Sequence, residues 1–286
     1  MQPEVTGFFH EASKTVSYVV ADPTAKAAAV VDPVLDFEIK SGRTGTKAAD
    51  GIIAFLSERG YRLDWILETH AHADHLTGAQ HLQAQRGGRI AIGAEIGLTQ
   101  QHFARLYNLP EMAEDRGGAF DQLFADGDAF AIGKITATVL HTPGHTPACV
   151  TYVIGDAAFV GDTLFMPDYG TARCDFPGGD AAALYRSIHR ILDLPAETRL
   201  FTCHDYQPGG RAVAFETTVA EQRRANLHIH DGISQADFVA MRQGRDKTLS
   251  VPDLLLPAVQ VNIRAGRLPM AESNGRSYLK LPLNAL

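Results

Sequence analysis

The chain has 286 residues, 45% of them hydrophobic, with 26 Lys and Arg against 33 Asp and Glu for a net charge of -7. It is long enough for one large domain or two small ones and apolar enough to bury a substantial core. The acidic balance, with a pI near 5.9, excludes nucleic acid and an anionic membrane as the main partner, because no basic excess offsets phosphate charge. Three widely spaced cysteines, Cys149, Cys174 and Cys203, form no Cys-x-x-Cys pair, so neither a disulfide framework nor a thiolate zinc site is expected. The N-terminus lacks a basic stretch followed by an apolar core, and no run approaches the ~20 apolar residues of a membrane span. A cytoplasmic protein acting on a small molecule is expected.

In chain order, Gly7-Phe8-Phe9 and the stretch from Thr15 to Val20 read as paired strands, with a third from Ala27 to Val31 ending at Asp32-Pro33. Ser41 to Gly45 reads as a loop. The helix after it carries Ile52, Phe55 and Leu56 on one face and stops at Gly60. Leu63 to Glu68 is a strand-like run that delivers Thr69-His70-Ala71-His72-Ala73-Asp74-His75, after which Leu76, Ala79 and Leu82 recur at helical spacing. His70 and His72, two apart in extended chain, point the same way, while Asp74 and His75 face a second direction at the turn into the helix. Three imidazoles and a carboxylate in so short a loop imply metal binding in two half-sites. Arg89 to Ile92 is a further strand, Glu95 to Asn108 a helix, and Glu111 to Asp121 a polar, mobile connection of unreadable function.

The second half repeats the pattern of strands ending in ligand-bearing loops. Ile135 to Leu140 runs into His141-Thr142-Pro143-Gly144-His145, a turn that fixes an imidazole, with His145 the better ligand and His141 a supporting group. Val150 to Ile154 and Ala157 to Val160 form a hairpin across Gly155-Asp156 that delivers Asp162, with Gly161 leaving room for close approach. A long loop from Thr163 to Gly179 precedes a helix bearing Leu184, Ile188, Ile191 and Leu192, and Leu200 to Cys203 is a strand ending at His204-Asp205-Tyr206. There is no repeat or linker. The apolar run from Val251 to Leu268 is expected to cover the body of the domain or the second subunit of a homodimer.

These ligand residues, Thr69-His-x-His-x-Asp-His75, Pro143-Gly-His145, Gly161-Asp162 and Cys203-His204, resemble in order and spacing the metal motifs of the metallo-β-lactamase superfamily. The resemblance covers about two thirds of the chain. It implies an α/β fold, an αββα four-layer sandwich with the metal site at one edge, here a single domain over 1–286 with a C-terminal extension from about 231. Within the superfamily, Arg173-Cys174-Asp175-Phe176 and His204-Asp205-Tyr206 look like the persulfide dioxygenase family, which carries Arg-Thr-Asp-Phe and His-Asp-Tyr there, rather than the hydroxyacylglutathione hydrolases. Thr171-Ala172 stands where that family has Cys-Gly, Cys174 where it has Thr, and the Ser41 loop and the 95–121 segment look longer.

By that resemblance one Fe(II) per chain is held by His70, His145 and Asp162, with His72, Asp74, His75 and His204 as supporting groups or a second metal site. Three protein ligands on one face leave positions where a thiolate sulfur and O2 meet. The implied reaction oxidises glutathione persulfide with O2 to sulfite and glutathione, Arg173 and Tyr206 holding the substrate, Arg173 through a bidentate carboxylate contact or, on its plainer reading, only in a surface ion pair. Two alternatives stay open. One is a dinuclear thioester hydrolase, with Zn in place of iron and a metal-bound water as nucleophile; the other is a non-catalytic metal-stabilised module accompanying a sulfurtransferase. His10, His81, His102, His189, His228 and His230 lack ligand company and are expected to be solvated or capping. Cys149 and Cys203 are expected in the core, and Cys174 beside Arg173 where a lowered thiol pKa and a redox role are open.

Overall fold

The structure, a computed structural model, describes residues 2–285. It opens with the expected meander, β1 (Glu4–His10), β2 (Thr15–Asp22) and β3 (Ala27–Val31), then β4 (Val34–Glu38), β5 (Arg43–Gly45), α1 (Lys47–Arg59) and β6 (Arg62–Leu67). Beyond the His-rich loop come β7 (Leu76–Thr77), α2 (Ala79–Arg86), β8 (Arg89–Gly93), α3 (Ile96–Tyr107), α4 (Pro110–Asp115), β9 (Gln122–Phe124) and β10 (Ala129–Ile132). The remainder is β11 (Ile135–His141), β12 (Val150–Ile154), β13 (Ala157–Phe159), α5 (Ala181–Leu192), β14 (Arg199–Phe201), β15 (Glu216–Thr218), α6 (Val219–Ala225), α7 (Gln235–Asp246) and α8 (Leu255–Asn262).

Two six-stranded sheets, ordered β1-β2-β3-β6-β8-β9 and β10-β11-β12-β13-β14-β15, carry the expected four-layer sandwich. Side-chain alternation along β2 shows why they stack: Tyr18 and Val20 meet Val139, Tyr152 and Phe159 of the second sheet, whereas Val19 and Ala21 point to Ile52, Leu56, Leu82 and Phe103 of the helices behind. The outer face of the second sheet packs Ala158, Val160 and Leu200 against Leu184, Ile188 and Phe238 of α5 and α7. Because β3, β6 and β8 are parallel, the chain leaves β6 at one edge of the sandwich. The loops after β6, β11, β13 and β14 collect there.

Four local expectations are corrected. Leu76 is not helical: β7 pairs with β4, Leu35 opposite Leu76, so α2 begins only at Ala79. The stretch expected as a loop from Ser41 contains β5, which pairs with β4 as a hairpin. The connection from Glu111 is not a mobile linker; α4 and the turn after it bury Met112, Ala119 and Phe120, and Asp115 accepts from Gln100 Nε2 at 2.8 Å and the Ala119 amide at 2.9 Å. The sequence reading also missed β4, β9, β10, β15, α6 and α7; the strands β9, β10 and β15 are three or four residues long, too short to show a period. Among the described residues no helix is long and apolar enough to cross a membrane.

The C-terminal apolar run covers the body of its own chain. Leu255, Val259 and Ile263 join the core beneath α3, and Asn262 is almost fully buried. Its amide nitrogen donates to the carbonyls of His72 at 2.8 Å and His75 at 2.7 Å, and its Oδ1 accepts from the Thr77 amide at 2.9 Å. One side chain thus holds three main-chain groups of the His-rich loop. Asn262→Ala leaves them buried without partners, at about 1–3 kcal/mol for each unsatisfied group, so urea unfolding should show a loss of about 3 kcal/mol or more on that scale; a midpoint equal to that of the parent would refute the role.

Candidate metal centre

The His-rich loop is shaped from below by Asp32, at the end of β3. Its Oδ1 accepts from the Thr69 amide at 2.7 Å and lies 2.9 Å from His72 Nε2, and its Oδ2 accepts from Thr69 Oγ1 at 2.8 Å. His72 therefore turns its Nε2 into the protein, where Glu68 Oε2 lies 3.5 Å away. Burial alone would depress the His72 pKa, but the Asp32 and Glu68 carboxylates hold it well above the usual imidazole value.

The other ligand candidates converge. His70 Nε2 lies 3.8 Å and His145 Nε2 3.6 Å from Asp162 Oδ2, and the ligand atoms of the three all fall within 4.8 Å of one another. His145 Nδ1 is 2.8 Å from the Arg173 carbonyl. A carbonyl only accepts, so Nδ1 carries the proton and Nε2 presents its lone pair to Asp162. Two glycines allow this closeness. At Gly144, with φ +141°, a Cβ would meet the Leu184 backbone at 2.4 Å, and at Gly161, with φ +52°, it would meet Thr69 Oγ1 at 2.6 Å.

A second group surrounds the other oxygen of Asp162. His204 Nε2 lies 3.2 Å from Oδ1 and 3.5 Å from Asp74 Oδ2, and Asp74 accepts from Thr15 Oγ1 at 3.2 Å. His75 donates through Nδ1 to the Leu76 carbonyl at 3.0 Å, leaving Nε2 as an acceptor. Burial lowers the His75 pKa to about 4, helped by His72, so this imidazole is neutral at pH 7. Asp162 stays well below the ordinary carboxylate range: burial pushes it up, but His204 and His70 outweigh that.

The donor set suits a cation. Asp162 Oδ1, His204 Nε2 and His75 Nε2 are buried with no hydrogen-bond partner. Buried polar atoms are ordinarily satisfied, and a metal would satisfy these. His70, His145 and Asp162 can hold one ion; His72, Asp74 and His75 form a further group whose donor atoms lie within 4.8 Å of one another, and His204 stands against Asp162 Oδ1 and Asp74, for support or for another ion.

A cavity of about 390 Å³ opens onto Asp74, His145 and Asp162. Phe165, Tyr169 and Phe176 form apolar walls, and Tyr206, 40% exposed, stacks on Tyr169 at 4.6 Å between centroids. Arg173 lines the cavity, but its guanidinium is already paired with Asp175 at 2.6 and 2.7 Å and with the Ser250 carbonyl at 2.7 Å. Arg245 also lines it, and among the described residues its guanidinium makes neither hydrogen bond nor ion pair.

Two expectations change at this site. Cys174 is buried, 8% exposed, and burial pushes its thiol pKa up, the reverse of what a redox role requires. His228 is neither solvated nor a helix cap; its Nδ1 accepts from the Thr171 amide at 3.0 Å behind the cavity wall, and burial lowers its pKa to about 4. His141 bonds the Pro147 carbonyl within its own turn at 2.8 Å. Cys149 and Cys203 are in the interior as expected. The roles of Asp32, Glu68, Asn262, Arg242 and Arg245 were missed by the sequence reading. Only Asp32, in an Asp-Pro pair at a strand end, carried a signal there.

The family profile described as the metallo-beta-lactamase superfamily matches residues 11–204. A probable metallo-hydrolase of Burkholderia pseudomallei is 54% identical over 99% of this chain and 99% of its own length. Glyoxylase B2 of Dictyostelium discoideum is 49% identical over 96% of this chain and 94% of its own. The mitochondrial persulfide dioxygenase ETHE1 of Homo sapiens is 32% identical over 90% and 87%. The crystal structure of ETHE1 from Myxococcus xanthus superposes with a TM-score of 0.74 at 27% identity, covering 92% of this chain and 100% of that one.

The two groups predict different losses. Asp162→Ala, which removes the oxygens common to both, should abolish metal retention, whereas His75→Ala should weaken it only ~10 to 100-fold, as for a group outside the ligand set. Elemental analysis after anaerobic purification checks this, and equal loss in both variants would make His75 a ligand.

Proposed function

The chain belongs to the metallo-beta-lactamase superfamily, and on that premise we propose that it is an iron(II) persulfide dioxygenase converting glutathione persulfide, O2 and water to sulfite and glutathione. The observation that carries the proposal is the convergence of two imidazoles and one carboxylate, His70, His145 and Asp162, with His145 and Asp162 at the wall of the cavity of about 390 Å³ and His70 buried behind them. These three residues would hold iron(II), which would supply the redox chemistry between a sulfur anion and dioxygen. The likeness to ETHE1, at 32% identity over 90% of the chain, supports the same reading.

The chain's own residues would do the rest. Hydrogen bonding of His145 to the Arg173 carbonyl keeps its Nε2 unprotonated. Phe165, Tyr169 and Phe176 exclude water from the reacting sulfur. Tyr206 and the Arg173 wall bracket the thiol, and Arg245, on the same cavity and unpaired, receives a carboxylate of the glutathione moiety. Arg245→Ala should raise KM for glutathione persulfide more than it lowers kcat, as expected when uniform binding is lost.

A thioester hydrolase is the second reading, favoured by the unpartnered His75 Nε2, His204 Nε2 and Asp162 Oδ1 and by the likeness to glyoxylase B2. There a second metal would lie against Asp74, His75 and His204 and supply an activated water.

Oxygen separates the two. With glutathione persulfide the iron form should consume about one O2 per sulfite and be inert under nitrogen, the stoichiometry of a dioxygenase of this ligand type. An oxygen electrode with a sulfite assay, read beside elemental analysis, measures it. Two zinc ions per chain, anaerobic cleavage of S-lactoylglutathione and no oxygen uptake with persulfide would replace the dioxygenase with the hydrolase.

A further inference from the structure

Arg242 and Asp246 lie one turn apart on α7, in the part of the chain beyond residue 231, and are 1% and 6% exposed. Arg242 Nε is 2.9 Å and Nη2 2.7 Å from Asp246 Oδ1. Both groups also reach the loop that walls the cavity. Arg242 Nη1 donates to the Thr171 carbonyl at 3.0 Å and to Thr171 Oγ1 at 3.3 Å, and Asp246 Oδ2 accepts from the Cys174 amide at 2.8 Å. The pair grips the chain on either side of Arg173. Between those grips, the Arg173 carbonyl accepts a hydrogen bond from His145 Nδ1–H at 2.8 Å.

We propose that the Arg242–Asp246 pair is a positioning element for His145, holding the 171–174 loop so that the Arg173 carbonyl fixes the tautomer and ring direction of that imidazole. The inference rests on reading His145 as a metal ligand.

The chemistry of the pair supports a geometric role. Buried charges are costly, and an apolar pair of the same volume often serves stability as well or better. What an apolar pair cannot do is hold a carbonyl at one residue and an amide three residues on. A guanidinium does this through its planar fork, one edge on Asp246 and the other on Thr171; a lysine has one nitrogen for both. The loop needs such a hold because its hydrogen bonds between backbone groups lie to either side, in the turn from Phe165 to Gly170 and between Phe176 and Gly179, and among the described residues the stretch 171–174 has none beyond the Leu164–Thr171 bridge. Groups that orient a metal-ligating histidine through its second nitrogen typically alter metal affinity when removed. Here that effect would pass through one further link, the main chain from 171 to 174.

The test uses the full chain with cobalt(II) as probe. Arg242→Lys and Asp246→Asn should each bind cobalt ~10 to 100-fold more weakly, in the range for groups that orient ligands, at a temperature where circular dichroism shows the metal-free variants folded. The visible absorption bands of the cobalt forms should shift, a signature that a loss of stability alone would not produce. Should the single variants fail to fold, Arg242→Met combined with Asp246→Leu keeps the packing and carries the same measurement. In the parent, nitrogen-15 NMR should show His145 as the Nδ1–H tautomer with a slowly exchanging proton. Folded variants with parental cobalt affinity and spectrum would overturn the proposal, as would an Nε2–H tautomer in the metal-free parent whatever the variants do. A parent that binds no cobalt would overturn the metal-centre reading and this inference with it, whereas a cobalt-binding parent beside indifferent variants overturns this inference alone.

Discussion

Asp32 is buried at the end of β3 with φ +48°, a left-handed conformation that aspartate tolerates better than most side chains. Its amide donates to the Leu67 carbonyl at 2.9 Å and its carbonyl accepts from Ser17 Oγ at 2.7 Å, tying β3 to β6 and β2. Its carboxylate then meets Thr69, His72 and, at 3.6 Å, Cys203 Sγ. Four segments distant in the chain are joined at one residue. The His-rich loop has its shape because it folds over this anion, and the direction of each imidazole above it follows.

The same anion sets the electrostatics of the floor. A buried carboxylate is costly unless paired, and the raised pKa of His72 shows the partner it takes. His72 is thereby held through Nε2 and directs only its unpartnered Nδ1 toward the remaining site. Above it the site divides about Asp162: Oδ2 faces His70 and His145, and Oδ1 faces His204. One carboxylate thus serves two clusters. Whether chemistry uses one cluster or both separates oxygen chemistry from hydrolysis on the same fold.

Support from the opposite side comes from the C-terminal part of the chain. Asn262 on α8 holds the carbonyls of His72 and His75, while Arg242 and Asp246 on α7 hold the loop beneath His145. The metal-binding loops are irregular and have few backbone partners of their own. Side chains from these two helices satisfy groups that would otherwise be buried without bonds. The segment beyond residue 231 is thus part of the site's architecture, although it lies outside the residues that match the family profile.

Much of the site was legible in the sequence because its chemistry is concentrated. His70, His72, Asp74 and His75 share one loop, and His145, Asp162 and His204 each stand just past an apolar run that reads as a strand, so ligand type and strand end could be seen together. Long elements with a clear period, such as β2, α1 and α5, were legible for the same reason, whereas β5, β7, β9 and β10 are too short to display one and exist only because a neighbouring strand pairs with them. Arg173 shows the limit of local reading: its neighbours in sequence mark it for a substrate, but Asp175 and the distant Ser250 carbonyl occupy its guanidinium. Cys174 likewise took its thiol chemistry from burial, which its sequence neighbours do not specify. The sequence by itself determined which side chains can hold a metal and the order in which strands present them, because those depend on residue type and local period. Tertiary structure alone decided which nitrogen of each histidine faces the site, which cavity-lining arginine lacks a partner among the described residues, and that α7 and α8 close over the loops, because each depends on hydrogen-bond partners far away in the chain.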